Sequence, residues 1–230
     1  MSEPLSKEAF VARLREEGGR RYHDAHPFHR AMHAGGLSRV HLQAWVANRY
    51  YYQTRIPIKD ALILAKSENP AFRRAWIHRL TDHDGKTDED GGLALWRRLG
   101  RAVGLRDADL ASHRYLLRGV RFACDAYVSL IERASLAEAV ASSLTELFAP
   151  DLLTQRIQAW QRHYPFVDGA ALAYFKSRVP RAASDAAEAL ELVVGEARSA
   201  EMQERCVAAL VRKTEILWHL LDCIVAAHPL

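Results

Sequence analysis

Three cations occupy positions that helical periodicity assigns to the interior. Leu42, Trp45, Val46, Arg49 and Gln53 share one helical face at i, i+3, i+4, i+7 spacing. Cys206, Leu210, Lys213, Leu217, Leu220 and Ile224 make an apolar stripe that Lys213 interrupts, and Arg178 lies with Ala171, Tyr174 and Phe175. Glu146 falls with the small residues Ala139, Ser142 and Ser143, a face that leaves room for something bulky. A charge that faces the interior must be paired or must meet a ligand. Several cations on one interior suggest a cavity for a polyanion, and the planar fork of arginine suits carboxylates because it holds both oxygens. The plainer alternative is snorkelling stems or structural ion pairs. It explains any one of these residues more easily than the set, because perturbed charges gather at sites.

Other residues could carry different chemistry. His23, His26, His29 and His33 are closely spaced, with His29 and His33 at i, i+4, a pair that zinc or di-iron could use. A structural metal site needs further ligands, and di-iron bundles carry paired Glu-x-x-His motifs, whereas Glu215 and His219 have the wrong step. The expectation is therefore capping or surface histidines and no metal. Asp82-His83-Asp84-Gly85 reads as a loop holding a histidine between two carboxylates, either a tuned general base or a helix-ending turn. Cys124, near Phe122 and Tyr127, has no histidine in an obvious pairing position, so a buried thiol is favoured over a nucleophile. No P-loop, G-x-G-x-x-G or G-x-S-x-G motif occurs, which disfavours nucleotide-dependent and hydrolase-elbow chemistry.

The elements that must position these groups are helices. Ser6 caps a helix reaching about Glu17, and Pro27 opens a short one ending at Gly35-Gly36. Ser38 caps a long helix from Arg39 to near Asn69, interrupted at Pro57. Pro70 opens the next, which stops at Asp82-His83-Asp84-Gly85, and Gly91 to Val103 is a further amphipathic piece. Helical period then runs from Asp107 to Phe148, as two helices broken near Arg118-Gly119 or Ala134-Ser135, with Pro150 ending or kinking the run. The remaining helices are expected at about 154–163, 168–179, 182–195 and 200–227. Strand signals are nearly absent, so the fold class is all-α, a bundle of seven or more helices.

Bulk properties bound the rest. The chain has 230 residues, 49% of them hydrophobic, with no linker-like stretch, which predicts one domain over 1–230. The formal charge of +4 comes from scattered residues, whereas a nucleic-acid binder shows a basic stripe, so no nucleic-acid partner is expected. Cys124, Cys206 and Cys223 are odd in number and far apart, which argues against a disulfide framework and suits a reducing compartment. No stretch approaches the ~20 apolar residues of a membrane span, and Met1 to Phe10 has no apolar leader core. The expectation is a cytoplasmic protein with no membrane partner.

The same segments carry a resemblance. Arg49-Tyr50-Tyr51-Tyr52-Gln53 with Ile56-Pro57-Ile58-Lys59-Asp60-Ala61, His83-Asp84-Gly85, Ser142 to Pro150, Tyr174-Phe175 with Arg178, and Lys213 with Ile216-Leu217-Trp218 and Leu221-Asp222 resemble the pyrroloquinoline-quinone synthase family. The blocks run in family order from about residue 20 to 225, and their combination separates this family from the broader haem-oxygenase-like and thiaminase-like proteins. The resemblance implies a compact haem-oxygenase-like bundle acting as a homodimer. It implies a reduced polycarboxylate quinoline precursor as substrate and pyrroloquinoline quinone as product. Ring closure and oxidation would use molecular oxygen as co-substrate and release hydrogen peroxide, with no metal or organic cofactor. It carries His23, Arg49, Gln53, Lys59, His83, Tyr127, Thr145, Glu146, Arg156, Tyr174, Arg178 and Lys213 into the site. His83 takes the main proton-transfer role, and Tyr174 and Arg178 line the oxygen pocket. Arg49, Gln53, Lys59, Arg156 and Lys213 hold carboxylates or quinone oxygens, while Glu146, Thr145, Tyr127 and His23 orient the substrate or relay protons. Two positions depart from the family: Leu153 stands where many members have a histidine, and Val179-Pro180-Arg181 replaces a glutamine-containing continuation. The competing readings are a thiaminase-like hydrolase using Cys124, a helical carrier of quinone or haem, and a metal-dependent oxidase using the His23–His33 cluster.

Overall fold

The structure, a computed structural model, describes residues 3–230; Met1 and Ser2, the first residues of the segment read for a leader, lie outside them. Helices α1 (Lys7–Arg20), α2 (Pro27–His33) and α3 (Arg39–Ala65) open the chain, with a 3-10 turn at His23–Ala25. Then come α4 (Pro70–Trp76), α5 (His78–Asp84), α6 (Gly91–Val103), α7 (Asp107–Ala111), α8 (Arg118–Arg133) and α9 (Leu136–Ser142). A 3-10 segment at Ser143–Phe148 leads into α10 (Ala149–His163), α11 (Ala173–Glu196) and α12 (Ala200–Ala227). The described residues contain no strand, and no helix among them is long and apolar enough to cross a membrane.

Side-chain capping explains several boundaries. The Ser6 hydroxyl accepts from the Ala9 amide, and Ser38 and Ser135 each form a capping box, with His41 and Glu138. Two prolines act differently from the sequence expectation. Pro57 and Pro180 both lie inside unbroken helices, α3 and α11. An interior proline costs about 3 kcal/mol of helix propensity, and tertiary packing outweighs it here: α3 packs against α5, α6 and α8. Pro180 and Lys176, whose carbonyl loses its donor, both face solvent. Pro150, by contrast, stands at the expected end of the run: the run stops at Phe148, and Pro150 sits in the first turn of α10, where a missing N–H is harmless. The predicted helix from Pro70 divides at Ile77, and the 107–148 run breaks at both suggested points rather than one.

Three helices frame the interior. α3 crosses the middle, α12 packs on α1, α8 and α9, and α11 packs on α10, α9 and α6. Trp45, Trp96, Trp160 and Phe175 join α3, α6, α10 and α11 as an aromatic cluster with ring centroids 5.4–6.3 Å apart. The Trp96 indole donates to the Val46 carbonyl at 3.0 Å, so the cluster is fixed in register. The stripe of α12 is buried throughout, Lys213 included.

The end of α5 is held by two glycines. Gly85 and Gly91 both have φ of +81°. A Cβ on Gly85 would fall on the Asp90 carbonyl oxygen, and one on Gly91 on the Gly85 backbone nitrogen. Asp90 completes the turn by accepting from the Lys86 and Thr87 amides at 2.9 and 2.7 Å. Gly91→Ala therefore combines left-handed strain with a backbone collision and is expected to cost roughly 2–5 kcal/mol of stability in denaturant titrations. Unchanged stability would show that the turn can relax.

Candidate active site

A cavity opens where α3, α5, α10, α11 and the two 3-10 segments converge. Of the twelve site residues expected from sequence, nine line it: His23, Arg49, Gln53, His83, Thr145, Glu146, Arg156, Tyr174 and Arg178. The helical period explains the convergence. Arg49 and Gln53 are one turn apart on α3, and Tyr174 and Arg178 one turn apart on α11. The Tyr174 hydroxyl donates to Gln53 Oε1 at 2.8 Å and the ring stands edge-on to Trp96 at 4.8 Å, so both side chains are held in place.

Lys59, Tyr127 and Lys213 do not reach the cavity wall; they stand one layer behind it. Lys59 Nζ pairs with Asp60 at 2.7 Å and donates to Ser143 at 3.0 Å. Lys213 Nζ sits 3.2 Å over the Tyr127 ring and donates at 2.8 Å to the hydroxyl of Tyr52, which does line the cavity. Lys213 has no carboxylate partner among the described residues. Burial, with Arg49 and Lys59 nearby, holds its ammonium well below the ordinary lysine range. The small-residue face at Ala139, Ser142 and Ser143 is not open space, because Tyr127 and Lys59 fill it.

His83 is not in a loop. It lies in the last turn of α5, buried, and neither ring nitrogen has a side-chain hydrogen-bond partner. Burial, and then the charges of Arg178 and Lys59, push its pKa down to about 3. It is therefore a neutral imidazole with no side-chain partner on either nitrogen. Glu146 behaves oppositely: burial would raise its pKa, but Arg79, Arg178 and Lys59 hold it at about 2. Its oxygens accept from Arg79 at 2.8 Å and Arg178 at 3.2 Å. Asp185 adds to the network, with Arg178 at 3.1 Å and His78 at 2.9 Å.

Arg79 and Asp185 were missed from sequence. Arg79 lies one turn before His83, and Asp185 lies two turns after Arg178; those spacings were the available signal. Also unforeseen were Tyr22, Tyr52, Trp96, Leu152 and Phe175 on the cavity wall. Leu153, the family departure, lines the wall as well and makes that side apolar.

The histidine cluster is dismantled by its own contacts. His26 caps α2 through Nδ1 and meets Asp222 through Nε2, while His29 bonds the His23 carbonyl and Arg156. His23, His26 and His29 are buried rather than on the surface. Among the described residues no group of three or more His, Cys, Asp or Glu could hold a metal ion. Cys124 is fully buried and off the cavity wall, and burial pushes its thiol up to about 12, so it is no thiolate at neutral pH.

The buried imidazoles fix a pH dependence. Between the ordinary histidine value of 6.5 and about 3 for His83, the unfolded chain binds a proton that the folded chain refuses. His23 and His29 shift the same way, through burial first and then neighbouring arginines. This stability is fully present above pH 6.5 and is lost as pH falls, each histidine costing up to about 1.4 kcal/mol per pH unit. Melting temperature should hold steady above neutrality and fall steeply below pH 6.5. A flat profile between pH 7 and 5 would contradict buried neutral histidines.

Comparison with known proteins places this geometry. Residues 11–223 match the model of the TENA/THI-4/PQQC family. The chain is 48% identical to a pyrroloquinoline-quinone synthase of Rhizobium rhizogenes, covering 99% of this chain and 92% of that protein. It is 46% identical to one from Klebsiella pneumoniae, covering 100% and 91%. A domain of unknown function from Shewanella denitrificans with a heme oxygenase-like fold superimposes with a TM-score of 0.78 at 12% identity, covering 97% of this chain and 94% of that one. A TenA homologue from P. horikoshii superimposes with a TM-score of 0.73 at 13% identity, covering 94% and 97%. The fold is thus haem-oxygenase-like, and the chain belongs to the TENA/THI-4/PQQC family.

Proposed function

We propose that the chain is an oxidoreductase performing the final step of pyrroloquinoline quinone biosynthesis. The observation that carries this reading is the cavity's unspent chemistry. Arg49 and Arg156 have no carboxylate partner among the described residues, and they share a cavity with an imidazole that has no side-chain partner on either nitrogen. A polycarboxylate quinoline supplies what is missing, with anions for the arginines and protons for His83. The near-half identity to the synthases named above over the whole chain supports the same substrate.

The chemistry follows from electrostatics. An imidazole with a pKa of about 3 is a poor base at neutral pH. Carboxylates entering beside it neutralise the surrounding cations and raise that pKa, so His83 becomes basic only once substrate is bound. Proton removal leaves an electron-rich anion. Each two-electron oxidation passes two electrons and two protons to one O2 and releases one H2O2, and no metal or organic cofactor is called for. Tyr174 and Arg178 flank the space where oxygen meets the anion, and Leu153, Phe175 and Trp96 keep that side dry. Thr145 and His23 orient the substrate. A homodimer in the cytoplasm belongs to the same reading.

Aerobic mixing of metal-stripped protein with the ring-open precursor tests this. Quinone absorbance appearing with oxygen uptake and peroxide is the expected result. Binding without oxygen uptake would make the protein a carrier instead.

A further inference from the structure

The cations around the cavity fall into two groups. Arg178 and Arg79 are neutralised by Glu146 and Asp185. Arg156, 5% exposed, has no carboxylate partner among the described residues. Its Nη2 donates at 3.2 Å to Nε2 of His29, which is 1% exposed and lies on α2, behind the cavity wall. The other nitrogen of His29, Nδ1, bonds the His23 carbonyl at 2.9 Å.

These two bonds determine the state of the ring. A carbonyl only accepts, so Nδ1 carries the hydrogen, and a guanidinium only donates, so Nε2 is bare. Protonating His29 would set an N–H against the N–H of Arg156. The ring is therefore locked as a neutral acceptor. Burial, and then Arg156 itself, push its pKa in the same direction. The choice of partner matters for binding. Aspartate or glutamate in this place would orient Arg156 equally well, but would consume the charge that a ligand needs.

We propose that His29 is a positioning residue for anion binding: as a neutral acceptor it aims the Arg156 guanidinium into the cavity without cancelling its charge. This rests on the reading of the cavity as a polycarboxylate site and explains why Arg156 is held by an imidazole while Arg178 is held by carboxylates. It also gives His29 a purpose other than metal.

Two nearly isosteric variants of the full chain separate charge from shape. His29→Gln keeps an acceptor for Arg156, and His29→Glu puts a carboxylate there. Pyrroloquinoline quinone is the probe, with binding followed by quenching of protein tryptophan fluorescence and turnover by oxygen uptake. His29→Gln should bind within about threefold of wild type, while His29→Glu should bind at least about tenfold more weakly, the worth of one charge-assisted hydrogen bond. In turnover the Glu variant should show the change mainly in KM, with kcat within about threefold. Thermal melting should fall further in the Glu variant, because a carboxylate has no hydrogen for the His23 carbonyl, so affinities are compared at a temperature where both variants are fully folded. Equal affinity of the Gln and Glu variants overturns the proposal, as does an equal loss in both that tracks their melting temperatures. If wild type itself neither binds nor forms the quinone, the reading of the cavity fails; if wild type does both and the Glu variant is unchanged, only the role of His29 falls.

Discussion

His83→Asn lowers kcat for oxygen-dependent turnover by about 10²–10⁴-fold, the usual worth of a positioned general base, while leaving affinity for the quinone within about threefold and thermal stability equal or higher. The three parts of this result come from one observation. His83 is buried at the end of α5 with no side-chain partner on either ring nitrogen. A buried polar group without a side-chain partner contributes little to the folded state and costs about 1–3 kcal/mol of desolvation, so exchanging the imidazole for a smaller amide breaks no side-chain bond and costs the fold little. The carboxylate-binding charges lie elsewhere, on Arg49 and Arg156, so affinity changes little. Only proton transfer is lost. The pH profile of the wild type should differ between its two kinetic limits. In kcat/KM the imidazole titrates as in the free protein, far below neutrality, because burial and then Arg178 and Lys59 hold it near 3. In kcat the bound carboxylates raise that value, so the acid limb should move to higher pH. An Asn variant that retains more than about a tenth of wild-type kcat would remove His83 from the chemistry.

The sequence exposes the parts of the site that follow a helical period and hides those that do not. Arg49, Gln53, Tyr174, Arg178 and Lys213 are visible because each interrupts an apolar stripe, and each of those stripes is a helix in the structure. Which of them reach the cavity was not visible. Lys213 lies on the same stripe as Leu217, yet Leu217 lines the wall while Lys213 is caught behind it by the Tyr52 and Tyr127 rings, contacts between helices far apart in sequence. Glu146 was named from sequence and does line the cavity, but it lies in a 3-10 segment, where a period of 3.6 does not set which face a side chain takes. Its partner Arg79 sits in α5 next to Ile77, a helix junction with no glycine or proline to announce it. Pro57 and Pro180 misled for the complementary reason: local propensity argued for breaks that packing on the helix flanks overrides.

Asp185→Ala lowers stability by about 3–5 kcal/mol, seen as a fall in melting temperature of roughly 6–20 °C for a chain of this size. Asp185 is 2% exposed, does not line the cavity and is not among the site residues expected from sequence. Its carboxylate nonetheless meets Arg178 at 3.1 Å and His78 at 2.9 Å, and lies 3.8 Å from Arg79. Removing it leaves two buried guanidinium groups to share Glu146 alone, and an uncompensated buried charge is the costly outcome of breaking such a network. The pairing also explains why Arg178 stays firmly charged: burial opposes the charge, but Glu146, Tyr174 and Asp185 together raise its pKa. Activity should fall along with stability, because Arg178 would turn toward the cavity and His83 would feel its charge more strongly. Asp185→Asn separates the two effects. The amide keeps an acceptor for Arg178 but not the charge, so it should recover part of the lost stability and less of the lost activity. A chain in which Asp185→Ala melts within about 2 °C of wild type would mean that water fills the gap and that Glu146 alone can hold both arginines.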